Sequence, residues 1–149
     1  MGVRGLWDHV LDEKIIKEYR IPEDYVRMAI AMQEEEIHRR LGLYRHGRPL
    51  IDFGGKTVII VDDGIATGAT MLVAIRYAKT MAAREIVVAI PVASEEALEK
   101  IGKDEAVDRV VCIEKTGPYF FAVGEHYEHF SQVSDEEVVQ ALQSIRPKT

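Results

Sequence analysis

Thr57-Val58-Ile59-Ile60-Val61-Asp62-Asp63-Gly64-Ile65-Ala66-Thr67-Gly68-Ala69-Thr70-Met71 joins an apolar strand, two adjacent carboxylates and a Gly/Thr loop that feeds a helix. The run from Thr57 to Val61 is dominated by Val and Ile with no polar alternation, which predicts a strand buried on both faces and central in a parallel sheet. In open α/β sheets, ligands bind beyond the carboxyl ends of such strands. Asp62 and Asp63 stand at that edge. Carboxylates accept hydrogen bonds from several directions, so the pair suits vicinal hydroxyls and can help to hold a hydrated Mg²⁺. Gly64 and Gly68 allow tight turns and a close approach of backbone to ligand. The helix that follows offers unpaired N–H groups and the positive end of its dipole. A molecule carrying both sugar hydroxyls and a phosphate is the expected ligand.

The start of that helix sharpens the expectation. Thr67 can cap it, yet the position three further on, where a capping box wants Glu or Gln, is Thr70. A carboxylate there would repel a phosphate, whereas a hydroxyl can donate to it. No acid occurs from Gly64 through Ile75, although acids are usually favoured in a first turn. Turn chemistry alone explains any one of these residues, but not their order beside an apolar strand. Other phosphate loops fit poorly: Ala69 stands where a P-loop needs Lys, and G-x-G-x-x-G is absent.

Val58 to Met71 closely resembles the PRPP-binding motif of type I phosphoribosyltransferases: apolar residues, two acids and a T-G-x-T loop. The resemblance extends through Tyr44-Arg45, Gly47-Arg48-Pro49, Pro91-Val92-Ala93 and the run from Phe130 to Val138, which is similar to a poorly assigned branch of that family. It implies an α/β fold, a parallel-sheet βαβ core that is Rossmann-like. It also implies that Asp62 and Asp63 contact the ribose hydroxyls, directly or through metal and water, and are the catalytic acids of the site. Ala66, Thr67, Gly68, Ala69 and Thr70 would wrap the 5′-phosphate. The implied reaction transfers the phosphoribosyl group of PRPP to a nitrogen nucleophile with release of pyrophosphate, with Mg²⁺ as cofactor. Its transition state has oxocarbenium character, so positioning and charge stabilisation dominate over a protein nucleophile.

Two departures from the family pattern matter. Ala66 stands where the 6-oxopurine enzymes of the family carry an Asp proposed as base, so a hypoxanthine- or guanine-type mechanism is not expected. The family also has an earlier strand ending in a short turn, often Arg-Gly-Gly, that holds pyrophosphate. Gly54-Gly55 lies at the wrong end of the Thr57 strand, and Gly2-Val3-Arg4-Gly5 has no strand before it. The expectation is therefore a family member lacking its N-terminal part. A non-catalytic PRPP- or nucleotide-binding regulatory module, or a fragment working with a partner, is the alternative to an enzyme.

Composition fits a soluble enzyme domain. The 149 residues form one expected domain: an N-terminal ribbon, helix and loop over 1–56, a βαβ core over 57–113, and a C-terminal loop and helix over 114–149. Apolar residues make up 47% and charged ones 30%, a globular balance. The net charge of −6 argues against non-specific nucleic-acid binding. No apolar run reaches membrane-spanning length and no signal-peptide core is present. The single Cys112, inside Val110-Val111-Cys112-Ile113, is an expected buried strand thiol, which fits a reducing cytoplasm.

Along the chain, residues 3–20 suggest a β-ribbon. Pro22-Glu23-Asp24 opens a long helix to about Tyr44, with Glu35/Arg39 and Glu36/Arg40 paired at i,i+4. Thr70 to Ala82 should form a helix with Ala74, Ala78 and Met81 toward the sheet. Ile86 to Ile90 is the next strand, Ser94 caps a short helix, and Arg109 to Ile113 is the third strand. Ser134 and Glu137 make a capping box for a last helix. Strands alternating with helices mean a parallel sheet. Three strands are few, since sheets average about five or six, so the ribbon or a second subunit should cover the exposed flank and a homodimer is expected. Weaker candidates are a metal at His126 and His129, an anion patch at Arg45, His46 and Arg48, and base stacking by Tyr119, Phe120 and Phe121. Solvated polar residues explain the first two more simply, and core packing the third.

Overall fold

Three Val- and Ile-rich strands run side by side in one direction: β1 (Thr57–Val61), β2 (Glu85–Ser94) and β3 (Arg109–Thr116), in the order β1-β2-β3. The computed structural model describes Leu11, residues 13–117, Phe120 and residues 122–144. Its contacts separate Asp52–Phe130, which holds the sheet, from a second unit made of Leu11–Ile51 with the stretch from Ser131 onward. Thr57 pairs with Glu85 and Val61 with Ala89, while Val88 and Ile90 of β2 pair with Val110 and Cys112 of β3.

Among the described residues the central strand is β2, not β1. Ile86, Val87, Val88, Ile90 and Val92 of β2 are all buried, whereas β1 alternates, with Val58 and Ile60 turned to the core and Ile59 and Val61 exposed. An apolar run identifies a strand but does not count its neighbours, which is why the expectation of a central, doubly buried β1 fails.

Sequential parallel strands joined by right-handed crossovers place both connecting helices on one face. Here these are α3 (Ala69–Thr80) and α4 (Glu95–Gly102). Met71, Leu72, Ile75 and Ala78 of α3 and Ala97 and Ile101 of α4 join Ile86, Val88 and Ile90 in one core, with Val58, Ile60, Val110 and Cys112 packed around it. Of the expected inward residues of α3, Ala78 is buried as predicted, whereas Ala74 is half-buried and Met81 lies beyond the helix as its C-terminal cap; Met71, Leu72 and Ile75 complete the inward stripe. Ile75 has no exposed surface, so Ile75→Ala should cost about 2–5 kcal/mol. On the opposite face, Ile59 (62% exposed), Val61 (72%), Val111 (49%) and Ile113 (85%) form an open apolar surface. Cys112 is half-buried, and its thiol donates to the Glu114 carbonyl at 3.1 Å.

The second unit is helical. Residues expected in a β-ribbon form α1 (Glu13–Glu18) instead, closed by the Tyr19 N–H to Ile15 carbonyl bond and a Lys17–Glu13 pair at i,i+4. Residues 3–10 and 12 of that ribbon lie outside the described residues. The long helix is present as α2 (Glu23–Arg45). Of the two expected ion pairs, Glu36–Arg40 forms at i,i+4 (2.6 Å), whereas Arg39 turns to Glu36 (2.7 Å) in place of Glu35, so Glu36 takes both arginines. Arg39 also reaches Asp135 at 2.8 Å, the first residue of α5 (Asp135–Ser144), where the Tyr44 hydroxyl donates too. Two arginines hold the Glu36 carboxyl down at about 2. The Ser134–Glu137 capping box forms as expected, with the Ser134 N–H on Glu137 Oε2 (2.8 Å) and the Glu137 N–H on Ser134 Oγ (3.3 Å). Arg45 ties its own loop by donating to the carbonyls of Arg48 and Pro49.

Candidate functional site

The chain leaves β1 directly into the two acids. Asp62 is half-buried and Asp63 exposed, and Asp62 Oδ1 accepts the Asp63 N–H at 2.9 Å. Burial pushes the Asp62 carboxyl above its ordinary value against the pull of that hydrogen bond, and the adjacent Asp63 charge adds to the rise. The next residues are stapled to the central strand. Ile65, buried, donates to the Val92 carbonyl and accepts from the Ser94 N–H, both at 3.0 Å, as an isolated parallel bridge to Ala93. The Ser94 hydroxyl donates to the Ala66 carbonyl at 2.7 Å and accepts the Ala97 N–H at 3.1 Å, so one side chain fixes the loop and caps α4.

Gly68, not Thr67, is the N-cap of α3. It has φ +76°, and no side chain caps the helix. A left-handed residue at this point leaves little choice but glycine. The Leu72 N–H makes the first helical bond to the Gly68 carbonyl (3.0 Å), and the first turn carries no acid. Ala66, Thr67, Ala69 and Thr70 are exposed, while Gly68 itself is buried against Ile101 and Ala97 of α4. The five loop residues singled out in the sequence thus gather at one helix start, at the carboxyl edge of the sheet, just past the two carboxylates. Early helix amides without a capping side chain are ready donors for an anion.

No group of three or more His, Cys, Asp or Glu side chains positioned for a metal occurs among the described residues. Adjacent Asp62 and Asp63 offer a carboxylate pair, a donor set that suits a hydrated divalent cation such as Mg²⁺. His126 meets Glu114 at 3.1 Å and stacks on Phe120 (centroids 5.4 Å apart, 21° between planes). Tyr119 and Phe121 lie outside the described residues. Gly54-Gly55 sits at the amino end of the sheet, bonded to Ala82 and bridged to Ala83.

Two features were missed by sequence reading. A cavity of about 430 Å³ opens beside Ala66, walled by Ser94, Glu95, Glu96, Glu99 and Phe120. Its carboxylates accept hydrogen bonds, so its wall suits donor-bearing groups. The second feature is the segment after β3, which returns over the acidic turn: Val123 packs on Gly64, and the Tyr127 hydroxyl donates to the Asp63 carbonyl at 2.6 Å. A Gly between apolar and aromatic residues (Val123-Gly124 followed by Tyr127) was the only local signal, and it names no partner.

Parallel strands, one-sided helices and a carboxylate–glycine loop at the carboxyl edge define an α/β ligand-binding core. Residues 14–129 match the family described as phosphoribosyl transferase domain. Over 133 residues the chain is 35% identical to a protein of Mycobacterium tuberculosis strain CDC 1551 named "Putative phosphoribosyl transferase", and equally to its namesake in strain H37Rv. These alignments cover 89% of this chain but 29% of each relative. Among solved structures, TT1426 from Thermus thermophilus is 36% identical with a TM-score of 0.69, covering 84% of this chain and 59% of that one. The chain belongs to the phosphoribosyl transferase family. It spans less than a third of the length of the two mycobacterial proteins (29%). No helix among the described residues is long and apolar enough to cross a membrane.

Proposed function

We propose that this chain carries the PRPP-binding core of a phosphoribosyltransferase, one functional domain to which both units contribute; the family match runs through residues of both. The observation that carries the proposal is an uncapped, acid-free helix start immediately beyond two carboxylates at the carboxyl end of a parallel strand. In this reading Asp62 and Asp63 engage the ribose hydroxyls, directly or through water and Mg²⁺. Ala66, Thr67, Gly68, Ala69 and Thr70 surround the 5′-phosphate with backbone amides and the two threonine hydroxyls. Bound Mg²⁺ would neutralise charge on the diphosphate leaving group. The bond from C1 to a nitrogen nucleophile forms as the C1–O bond to pyrophosphate breaks. The protein positions the pentose and stabilises the charge that develops on it.

Ala66 offers no proton acceptor beside that loop, so the acceptor is outside the 6-oxopurine class. We further propose a homodimer, supported by the exposed apolar sheet face, and a cytoplasmic setting, supported by the lone free thiol of Cys112. A second reading, PRPP binding without turnover or turnover only with a partner, is favoured by one observation: the Gly54-Gly55 pair is at the amino end of the sheet, away from the acids.

Pyrophosphate release with PRPP, Mg²⁺ and a panel of nitrogenous acceptors tests the enzyme. Release with one acceptor supports transfer. Thermal protection by PRPP without release supports the binding module. Undiminished PRPP affinity in Asp62→Ala or Thr70→Val overturns the site in either form.

A further inference from the structure

We propose that Tyr127 is a positioning residue for the acidic pair, holding the Asp63 peptide so that both carboxylates keep one presentation toward the sugar; the inference rests on the sugar-phosphate reading of the site. The Asp63 backbone is held at both of its polar groups. Its N–H donates to Asp62 Oδ1 at 2.9 Å, and its carbonyl accepts the Tyr127 hydroxyl at 2.6 Å. Because Asp62 and Asp63 are joined through the first of these bonds, the orientation of that backbone sets the direction of both side chains. The Asp63 carboxylate is exposed, so its aim comes from the main chain.

Tyr127 is itself well anchored. Its ring packs on Phe130 (centroids 5.1 Å apart, 39° between planes), and its N–H closes the 3₁₀ turn Val123–His126 on the Gly124 carbonyl at 3.3 Å. That turn is pinned at one end by Val123 against Gly64 and at the other by His126 on Glu114 and Phe120. The hydroxyl donates to the Asp63 backbone carbonyl rather than to either carboxylate, so it acts on the acids through geometry.

The test is Tyr127→Phe, which removes the hydroxyl and keeps the ring. Calorimetric affinities are compared for two probes, PRPP with Mg²⁺ and inorganic phosphate alone, together with the thermal midpoint of the unliganded protein. PRPP affinity should fall about three- to tenfold, the range for one net hydrogen bond. Phosphate affinity should be unchanged, because phosphate engages only the loop. Unchanged PRPP affinity, or a parallel loss for both probes, overturns the positioning role and leaves the sugar-phosphate site standing. A wild-type protein that binds neither probe overturns the site and the role together.

Discussion

Gly64 and Val123 meet so closely that a methyl group on Gly64 would stand 2.5 Å from Val123 Cγ1 and 2.9 Å from Val92 Cγ1. The acidic turn is thus clamped between the central strand and the segment that follows β3. Gly64→Ala should destabilise the protein by about 1–3 kcal/mol through overpacking. Urea unfolding measures it. Adding Val123→Ala should recover part of the loss and not all, because the Val92 contact remains; full additivity of the two losses would mean the clamp is not there.

The acid-free first turn of α3 gives a prediction of opposite signs. Ala69→Glu places a carboxylate at an exposed helix start, where it should stabilise the fold by about 0.3–1 kcal/mol. The same charge should weaken PRPP and phosphate binding at least tenfold. A variant that gains stability and keeps its phosphate affinity would remove the helix start from the site.

Gly68 is the position where backbone strain decides. Its φ of +76° disfavours any side chain, although the nearest atoms, on Ile101 and Ala97, stand 3.6–3.8 Å from an added methyl. Gly68→Ala should cost about 1 kcal/mol or more from conformation alone. Chemical denaturation reads the cost. A neutral or stabilising result would show that the loop does not hold the left-handed turn.

Two carboxyls respond to pH in opposite senses. Asp62 has a folded-state value raised by burial, so ionising it weakens the fold as pH rises through the ordinary carboxylate range. Asp62→Asn should therefore gain stability at neutral pH, with the advantage vanishing in acid. Glu36 is held down at about 2 by Arg39 and Arg40 against an ordinary value of 4.5. Its contribution is present above 4.5 and is lost as pH falls toward 2. Carboxyl titration by NMR should show Glu36 moving back toward 4.5 in Arg39→Ala, and Asp135 rising with it, because Arg39 bonds both.

The open sheet face predicts self-association. Exposed Ile59, Val61, Val111 and Ile113 lie together on strands whose outer face no helix among the described residues of their own unit covers, and all-parallel sheets are normally covered on both faces. Sedimentation velocity should give a dimer mass, reduced toward monomer by the double substitution of Ile59→Lys with Ile113→Lys. A monomer in the wild type counts against the proposed dimer.

Much of this was legible in the residues. The β1–loop–α3 unit, the Ser94 cap, the Ser134–Glu137 capping box and the parallel alternation of strands and helices all rest on interactions between neighbours in sequence. Such local rules act over three or four residues, and the sequence states them directly. Ala78 faces the core as expected, but Met71, Leu72 and Ile75 take the places given to Ala74 and Met81. The N-terminal ribbon turned out helical over Glu13–Glu18, because short apolar pairs such as Ile15-Ile16 suit either period.

What the residues alone determined is the acidic turn and the acid-free helix start that follows it, since both follow from the order of Asp, Gly and Thr after an apolar run; that Gly68 and not Thr67 stands at the N-cap, with no side chain capping the helix, was decided by the structure. Tertiary structure alone decided that β2 and not β1 is central, that Val123 closes on Gly64, and that Tyr127 reaches Asp63. These contacts join positions 59 to 64 residues apart. Strand order and long-range packing depend on which surfaces the folded chain brings together, and no local pattern of polar and apolar residues encodes that.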